Sequence, residues 1–322
     1  MPKWELPPKK CHMCKADKIY FQNMTIEEIR ERLKKDDIII IPIGSTENHG
    51  PHSPVGEDTW IVIKLAEMVA EKTGCTVAQP IWYGYHPYHH IGMPGTIPIP
   101  EDTFIQYLAS VIAGFWNAGF RKQILLNVHG QEHVIPLAIH RFAVKYQVPA
   151  VLVHVDPWHI PVQELKDKAH GGPFETPFIH ADEVETSIAL CLFPEMVKMD
   201  KAVDTTPRGY LPPEHVDKAG NLYDRPIKWY GHVGLGPIEV AAYPPGCVGK
   251  ATLGDAKKAL PAVEKMLDYL VKLHDDILKK FPPGKLPPIN EITQRDKKEV
   301  EEVLKGPLNG GRHIYTLGWP PY

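Results

Sequence analysis

Four short stretches of the chain bring carboxylates and imidazoles together at close spacing. Residues 41–58 (IPIGSTENHGPHSPVGED) hold Glu47, His49, His52, Glu57 and Asp58, and residues 127–134 (NVHGQEHV) hold His129, Glu132 and His133. A third group is His154, Asp156 and His159; the fourth, HADEVET, holds His180, Asp182, Glu183 and Glu185. Carboxylate oxygen with imidazole nitrogen is the natural ligand set of zinc, manganese or ferrous iron. Glu47 and His49 are two residues apart, so in extended backbone they share one face and reach one ion or two adjacent ions. Asp58 is expected just before a helix beginning at Thr59, where the helix dipole favours a carboxylate. Alone it would read as a simple N-cap; beside Glu47 and His49 it reads as a ligand. His129 directly follows an apolar run and precedes Gly130, which points its ring towards the same crevice. His52 and His133 read either as partners that orient a metal-bound imidazole or as surface residues. Gly44, Gly50 and Gly56 permit tight turns around the cluster.

These groups need elements to hold them. TIEE at Thr25 forms a capping box ahead of IRERLKK and predicts the first helix. DIIIIPI (37–43) is a continuous apolar run, the mark of a strand buried on both faces. A helix over roughly Thr59–Lys72 follows, with Gly74 as its C-cap. CTVAQPIW (75–82) predicts a second strand, Glu101–Asn117 a helix, and KQILLNV (122–128) a third strand. Val134–Tyr146 predicts a helix, Ala150–Val155 a fourth strand, and a further helix follows His180. A long amphipathic helix over Asp255–Lys280 closes the domain. Strand and helix alternate, which predicts an α/β fold with a largely parallel sheet. In open sheets of this class ligands bind beyond the carboxyl ends of the strands, where the four groups fall. The expected organisation is an N-terminal extension over 1–24, one domain over 25–281 and a C-terminal extension over 282–322. The 33 prolines cluster near 80–100, 205–245 and 281–288, which predicts loops there.

The 322 residues are 43% hydrophobic and 23% charged with a formal net charge of −3, ordinary for a soluble globular protein. That balance gives no reason to expect nucleic acid or an anionic membrane as partner. There is no apolar run of membrane-spanning length, and MPKWELPPKK lacks the apolar segment of a secretion signal, so a cytoplasmic location is expected. Cys11 and Cys14 form a C-x-x-C pair with no second pair at zinc-ribbon spacing, so a metal half-site, a redox pair and two ordinary thiols all stay open. Cys75, Cys191 and Cys247 read as buried small residues.

At these residues the chain resembles the creatininase (creatinine amidohydrolase) family. The family pattern Gly-x-x-Glu-x-His-Gly, with an Asp eleven residues after the Glu, is matched by GSTENHG and Asp58. A Tyr-Gly stretch leading to Pro-Gly-Thr is matched by YGYHPYHHIGMPGT, Asn-x-His-Gly by NVHG, and His-Ala-x-Glu-x-Glu-Thr by HADEVET. The four ordered motifs span Ile41 to Pro194, are highly specific together, and leave about the first fifteen and last forty residues outside. The resemblance implies a three-layer α/β/α fold, a homo-oligomer that is often hexameric, and one or two divalent metal ions (Zn, Mn or Fe). It implies that Glu47 and His129 bind one ion with Asp58, that His49 binds the other with Asp58, that His180 transfers protons, and that Glu185 supports the site. Gly95 and Thr96 would line the pocket.

Two departures stand out. Creatininase has a glutamate two residues after the histidine matching His129, and here that residue is Gln131, so the second ion either loses a ligand or takes Glu183 or Glu132 instead. If the helix already includes His180, Glu183 shares its face and Glu185 does not, whereas the family comparison favours Glu185; both are candidates. Family members commonly have Ser where this chain has His86, and His86, Tyr88, His89 and His90, with Trp82 and Trp158, crowd hydrogen-bonding rings near the pocket. His86 and His90 are therefore assigned to substrate. The expected reaction is attack by metal-bound water on a carbonyl carbon of a small polar, cyclic substrate. A cyclic amide and an inositol-derived cyclic diketone rank level, with creatinine below both. A metal-dependent isomerase or aldolase acting on a sugar-like ketone, and a non-catalytic metal-binding protein, are the competing readings.

Overall fold

The run IIIIPI is buried at every residue and forms β1 (Ile38–Ile43), the centre of the sheet. The computed structural model describes residues 19–86, 92–206, 245–288 and 296–304. Around β1 lie β2 (Thr76–Val77), β3 (Lys122–Asn127) and β4 (Val151–Val155) in the order β2-β1-β3-β4, all parallel. Alternation along β1 and β3 divides the apolar side chains between two cores. Ile38, Ile40, Ile124 and Leu126 pack on one face with Leu65, Ile188 and Met266. These come from α2 (Glu57–Thr73), α5 (Glu183–Leu192) and α6 (Ala256–Lys280). Ile39, Ile41, Ile43 and Leu125 pack on the other face with Ile29, Phe104, Leu108 and Phe142. Those belong to α1 (Ile26–Lys35), α3 (Glu101–Asn117) and α4 (Val134–Tyr146). The expected three-layer α/β/α arrangement is therefore present. A short helix, α7 (Lys297–Leu304), falls in the charged tail segment.

Three element boundaries differ from expectation, and each has a local cause. The second strand is two residues long rather than eight. Beyond it, Ala78 N–H donates to Ile40 O and Ile81 N–H to Pro42 O, but Pro42 and Pro80 bring no amide hydrogen to continue a ladder. The second helix begins at Glu57, not Thr59, so Asp58 lies inside the first turn and Gly56 occupies the cap. The fifth helix begins at Glu183 because Asp182 caps it, accepting from Val184 and Glu185 N–H. The capping box at Thr25 forms in both directions, and Gly74 closes α2 at φ 81°. Among the described residues no helix is long and apolar enough to cross a membrane.

Two buried ionic contacts hold the N-terminal end of the sheet, one of them reaching α6 and the other the turn that follows it. Lys122, wholly buried, reaches Asp37 at 2.5 and 2.6 Å and Pro282 O at 3.2 Å, while Gly284 N–H donates to Asp37. His274 Nε2 lies 2.9 Å from Asp36, whose other oxygen accepts Ile38 N–H. Lys122→Ala strands Asp37 without its cation, so it should destabilise the fold by about 3–5 kcal/mol; urea unfolding of Lys122→Ala beside the double variant Lys122→Met/Asp37→Leu measures this, the double variant losing less. Burial opposes the charge on His274, but Asp36 and then Asp275 outweigh it and raise its pKa. That contribution is complete below the ordinary histidine value of about 6.5 and is lost as pH rises through the raised folded value. His274→Gln should therefore lower the melting temperature more at pH 6 than at pH 9.

Candidate metal centre

The carboxyl ends of β1 and β3 lead into one cluster of buried carboxylates and imidazoles. The chain leaves β1 at Gly44, where a Cβ would meet Thr59 at 2.4–2.5 Å, so β1 can run close beneath α2 only with glycine there. The next residues, 45–49, are held from both sides. Glu47 N–H donates to Val55 O, Ile97 N–H to Thr46 O, and Asn48 N–H to the hydroxyl of Thr96. The Gly95–Thr96 turn, Gly95 at φ 88°, is thus a clamp on the segment that carries Glu47 and His49. Thr96, expected to line the pocket, also holds this segment through its hydroxyl.

Three histidines meet this segment, each fixed by a backbone carbonyl. His129 Nε2 lies 2.9 Å from Tyr85 O, His49 Nδ1 3.2 Å from Glu47 O, and His180 Nε2 2.8 Å from Asn48 O. A carbonyl only accepts, so each of these nitrogens is the N–H, and the opposite ring nitrogen carries the lone pair. Those lone pairs point at carboxylates. His129 Nδ1 is 2.9 Å from Glu47 Oε2 and 3.1 Å from Asp58 Oδ2. His49 Nε2 is 3.6 Å from Asp58 Oδ1 and 3.9 Å from Glu185 Oε2, and His180 Nδ1 is 3.8 Å from Glu185 Oε2. Asp58 therefore turns one oxygen to each of His129 and His49, and Ser45 Oγ donates to its Oδ2 at 2.7 Å. Glu47, His49 and His180 form one group whose ligand atoms all lie within 4.8 Å, and Glu47, His86 and His129 form another.

A lone pair facing a carboxylate oxygen at 3 Å is repulsive unless a cation lies between them. Protons fill that role in the metal-free protein. Burial disfavours charge on His129, yet Glu47 and Asp58 raise it to about 10. His49 is likewise raised well above the ordinary value against burial, by Asp58 and then Glu57. Burial should raise Asp58, but His49 and His129 hold it well below the carboxylate range. Glu185 is raised by burial with His49 opposing, and Glu57, also buried, behaves in the same way. The donor set and its surplus of buried negative charge fit a divalent cation, which would displace those protons.

Glu183 is not part of this cluster. Its Oε2 accepts from Glu175 N–H, Thr176 N–H and the Thr176 hydroxyl, and its Oε1 takes Lys258 Nζ at 2.5 Å. The reason lies at the helix start. Ala181 adopts φ 47°, Asp182 caps, and His180 stays outside α5, so the shared face expected for His180 and Glu183 does not exist. The same turn aims Glu185 at His49 and lets its Oε2 accept Ala181 N–H at 2.5 Å. Glu132 acts on His154 and Asp156 and belongs to neither of the two groups. Gln131 is fully engaged, donating to Gly44 O and Asn127 Oδ1 and accepting Tyr85 N–H. His52 Nε2 meets the Thr186 hydroxyl at 2.8 Å, and His133 is exposed with its ring edge-on to Tyr85. Trp158 anchors through Nε1 to Val128 O. His90, with Tyr88, His89, Cys11 and Cys14, lies outside the described residues. Ser45 and the three anchoring carbonyls were not foreseen; a backbone carbonyl leaves no mark in residue type.

Residues 22–274 match the family model described as "Creatininase: Creatinine amidohydrolase". The chain belongs to the creatininase family. It is 64% identical over 301 residues to the 3-dehydro-scyllo-inosose hydrolase of Thermotoga maritima, covering 93% of this chain and 97% of that protein. The creatinine amidohydrolase of Pseudomonas putida is 25% identical, over 82% of this chain and 98% of the relative. The manganese form of creatininase shares the fold with a TM-score of 0.65 at 24% identity, over 82% and 99% of the two chains. As a creatininase-family member this protein is a metal-dependent hydrolase using a divalent cation. Purified protein should carry about one or two divalent ions per chain, measured by elemental analysis. His129→Ala and His49→Ala should each lose metal; Glu183→Gln should keep it while lowering the melting temperature, because its carboxylate serves Lys258 and the 175–176 turn.

Proposed function

We propose that this hydrolase opens the ring of an inositol-derived cyclic diketone, of the 3-dehydro-scyllo-inosose type, by hydrolysing a carbon–carbon bond next to a carbonyl. The observation that carries the reading is 64% identity along nearly the whole of both chains to a hydrolase of that compound, together with the assembled histidine–carboxylate cluster. Glu47, Asp58 and His129 are our candidates to hold one ion, and His49 and Asp58, with Glu185 beside them, to hold a second. Zinc, manganese and ferrous iron all suit oxygen and imidazole donors. A bound ion there supplies Lewis acidity that polarises a carbonyl and acidifies water.

The rest is the work of the chain. His180 is the most open of the three anchored histidines, its side chain 12% exposed, so it faces the substrate side. Asn48 O keeps its proton on Nε2, which leaves Nδ1 to accept a proton from the attacking water and return it to the leaving carbon. Glu185, held by Ala181 N–H, steadies His180 and His49 from one carboxylate. The reaction consumes one water: the broken carbon–carbon bond becomes a carboxylate at one end and a protonated carbon at the other.

We place the catalytic unit in residues 25–281, with extensions on either side, and the protein in the cytoplasm. Cys75, Cys191 and Cys247 are free thiols, which suits that compartment. A homo-oligomer, hexameric by family resemblance, accounts for the exposed apolar Tyr107, Leu137 and Val144 on α3 and α4.

Incubation with 3-dehydro-scyllo-inosose should release one equivalent of acid per ring opened, followed by pH-stat titration and mass spectrometry, with creatinine a far poorer substrate. Turnover without water uptake would instead favour an isomerase or aldolase. His180→Ala should slow turnover by roughly 10² to 10⁴ while metal content stays unchanged.

A further inference from the structure

His86 is a residue the family pattern does not require, and its surroundings differ from those of a pocket-wall side chain. It is buried, 3% exposed, with its ring centroid 4.5 Å from that of His129 at an interplanar angle of 59°. One of its nitrogens lies within 4.8 Å of a carboxylate oxygen of Glu47 and a ring nitrogen of His129, and those two atoms also lie within that distance of each other. Three donors at such spacing can be drawn onto one ion by small rotations, since metal–ligand bonds to nitrogen and oxygen run to about 2.0–2.2 Å.

The backbone that presents His86 is fixed to the same site. Tyr85 N–H donates to Gln131 Oε1 at 2.9 Å, and Tyr85 O accepts from His129 Nε2 at 2.9 Å. The peptide immediately before His86 is therefore pinned between Gln131 and His129. Gly84 makes this possible, because a Cβ there would sit 2.8 Å from Gln131 Oε1 and 2.9 Å from Gly44 O. Gln131 is itself held in place, its amide nitrogen donating to Gly44 O and Asn127 Oδ1 while its oxygen takes Tyr85 N–H.

We propose that His86 is a metal ligand, joining Glu47, Asp58 and His129 on one ion, and that Gln131 is the positioning residue that delivers it. This rests on the metal-dependent reading above and replaces the assignment of His86 to substrate. The chain has exchanged a carboxylate at the position of Gln131 for an imidazole at His86. The ion beside His129 then has two carboxylates and two imidazoles, while the ion beside His49 lacks a ligand. The two sites consequently fill unequally, the His129 site first.

The test is metal binding itself, read without turnover. Full-length protein, cleared of metal by chelation, is titrated with Co²⁺ while its visible spectrum is recorded, and the tightest-bound ion is examined as Mn²⁺ by pulsed electron paramagnetic resonance. The wild type should show two coordinated imidazole nitrogens on that ion. His86→Ala should show one, a changed cobalt spectrum and affinity weakened by at least roughly tenfold, while His133→Ala, an exposed histidine beside the same tyrosine, should match the wild type. A single imidazole on the tight ion in wild-type protein overturns the proposal, and that measurement needs no variant to fold. Unchanged affinity and spectrum in His86→Ala also overturn it and return His86 to the substrate. If the wild type binds neither Co²⁺ nor Mn²⁺, it is the hydrolase reading that fails, a result distinct from either of these.

Discussion

The structure depends on a cluster of buried carboxylates and imidazole lone pairs that repel one another unless a cation joins them. Glu47, Asp58, Glu57 and Glu185 are all buried around His49 and His129. Taking a carboxylate out of water costs several kcal/mol after relaxation, so such a group persists only where the surrounding fold overrides the penalty. Here the override comes from backbone. Three main-chain carbonyls, of Glu47, Asn48 and Tyr85, each hold one imidazole N–H and thereby turn the opposite nitrogen inward. Two of those carbonyls lie on the Glu47–His49 segment itself, so the segment that carries Glu47 and His49 also orients its neighbours.

Rigid elements hold that segment. β1 and β3 are central and buried at every residue, and their ladder runs unbroken from Ile38 to Ile43. The loops after them emerge at the same end of the sheet, which brings Glu47 and His129 together although 82 residues separate them. α2 then contributes Asp58 from its first turn rather than from its cap. The difference matters for geometry: a capping aspartate spends its oxygens on helix N–H groups, whereas Asp58 takes the Ser45 hydroxyl and turns one oxygen to each of His49 and His129.

On the opposite wall the strained turn at Ala181 performs the equivalent task. A non-glycine residue at positive φ costs free energy and persists where neighbours over-determine it. Here the neighbours are Asp182, which caps α5, and Gly249, which leaves no room for a side chain against Asp182 Cβ. The consequence is that His180 and Glu185, five residues apart, reach the same cluster, while Glu183 is turned to Lys258.

Periodicity and composition determined much of this protein. Isoleucine-rich β1, the Thr25 capping box and the α3, α4 and α6 patterns are local signals, set by side-chain burial and by capping within a few residues, and each element formed close to where the sequence placed it. The ordered motifs determined the family and gathered Glu47, His49, Asp58, His129, His180 and Glu185 as candidates. Tertiary structure decided what local signals cannot carry. It shortened β2, where two prolines lack the amide hydrogens of a ladder, and it shifted α2 by two residues. It turned Glu185 rather than Glu183 towards His49 and His180 through one positive φ, tied Gln131 and Thr96 to neighbouring backbone, and set His86 against His129. Each of these outcomes depends on which partner lies across space, a quantity fixed by the packing of distant segments and absent from the spacing of residues along the chain.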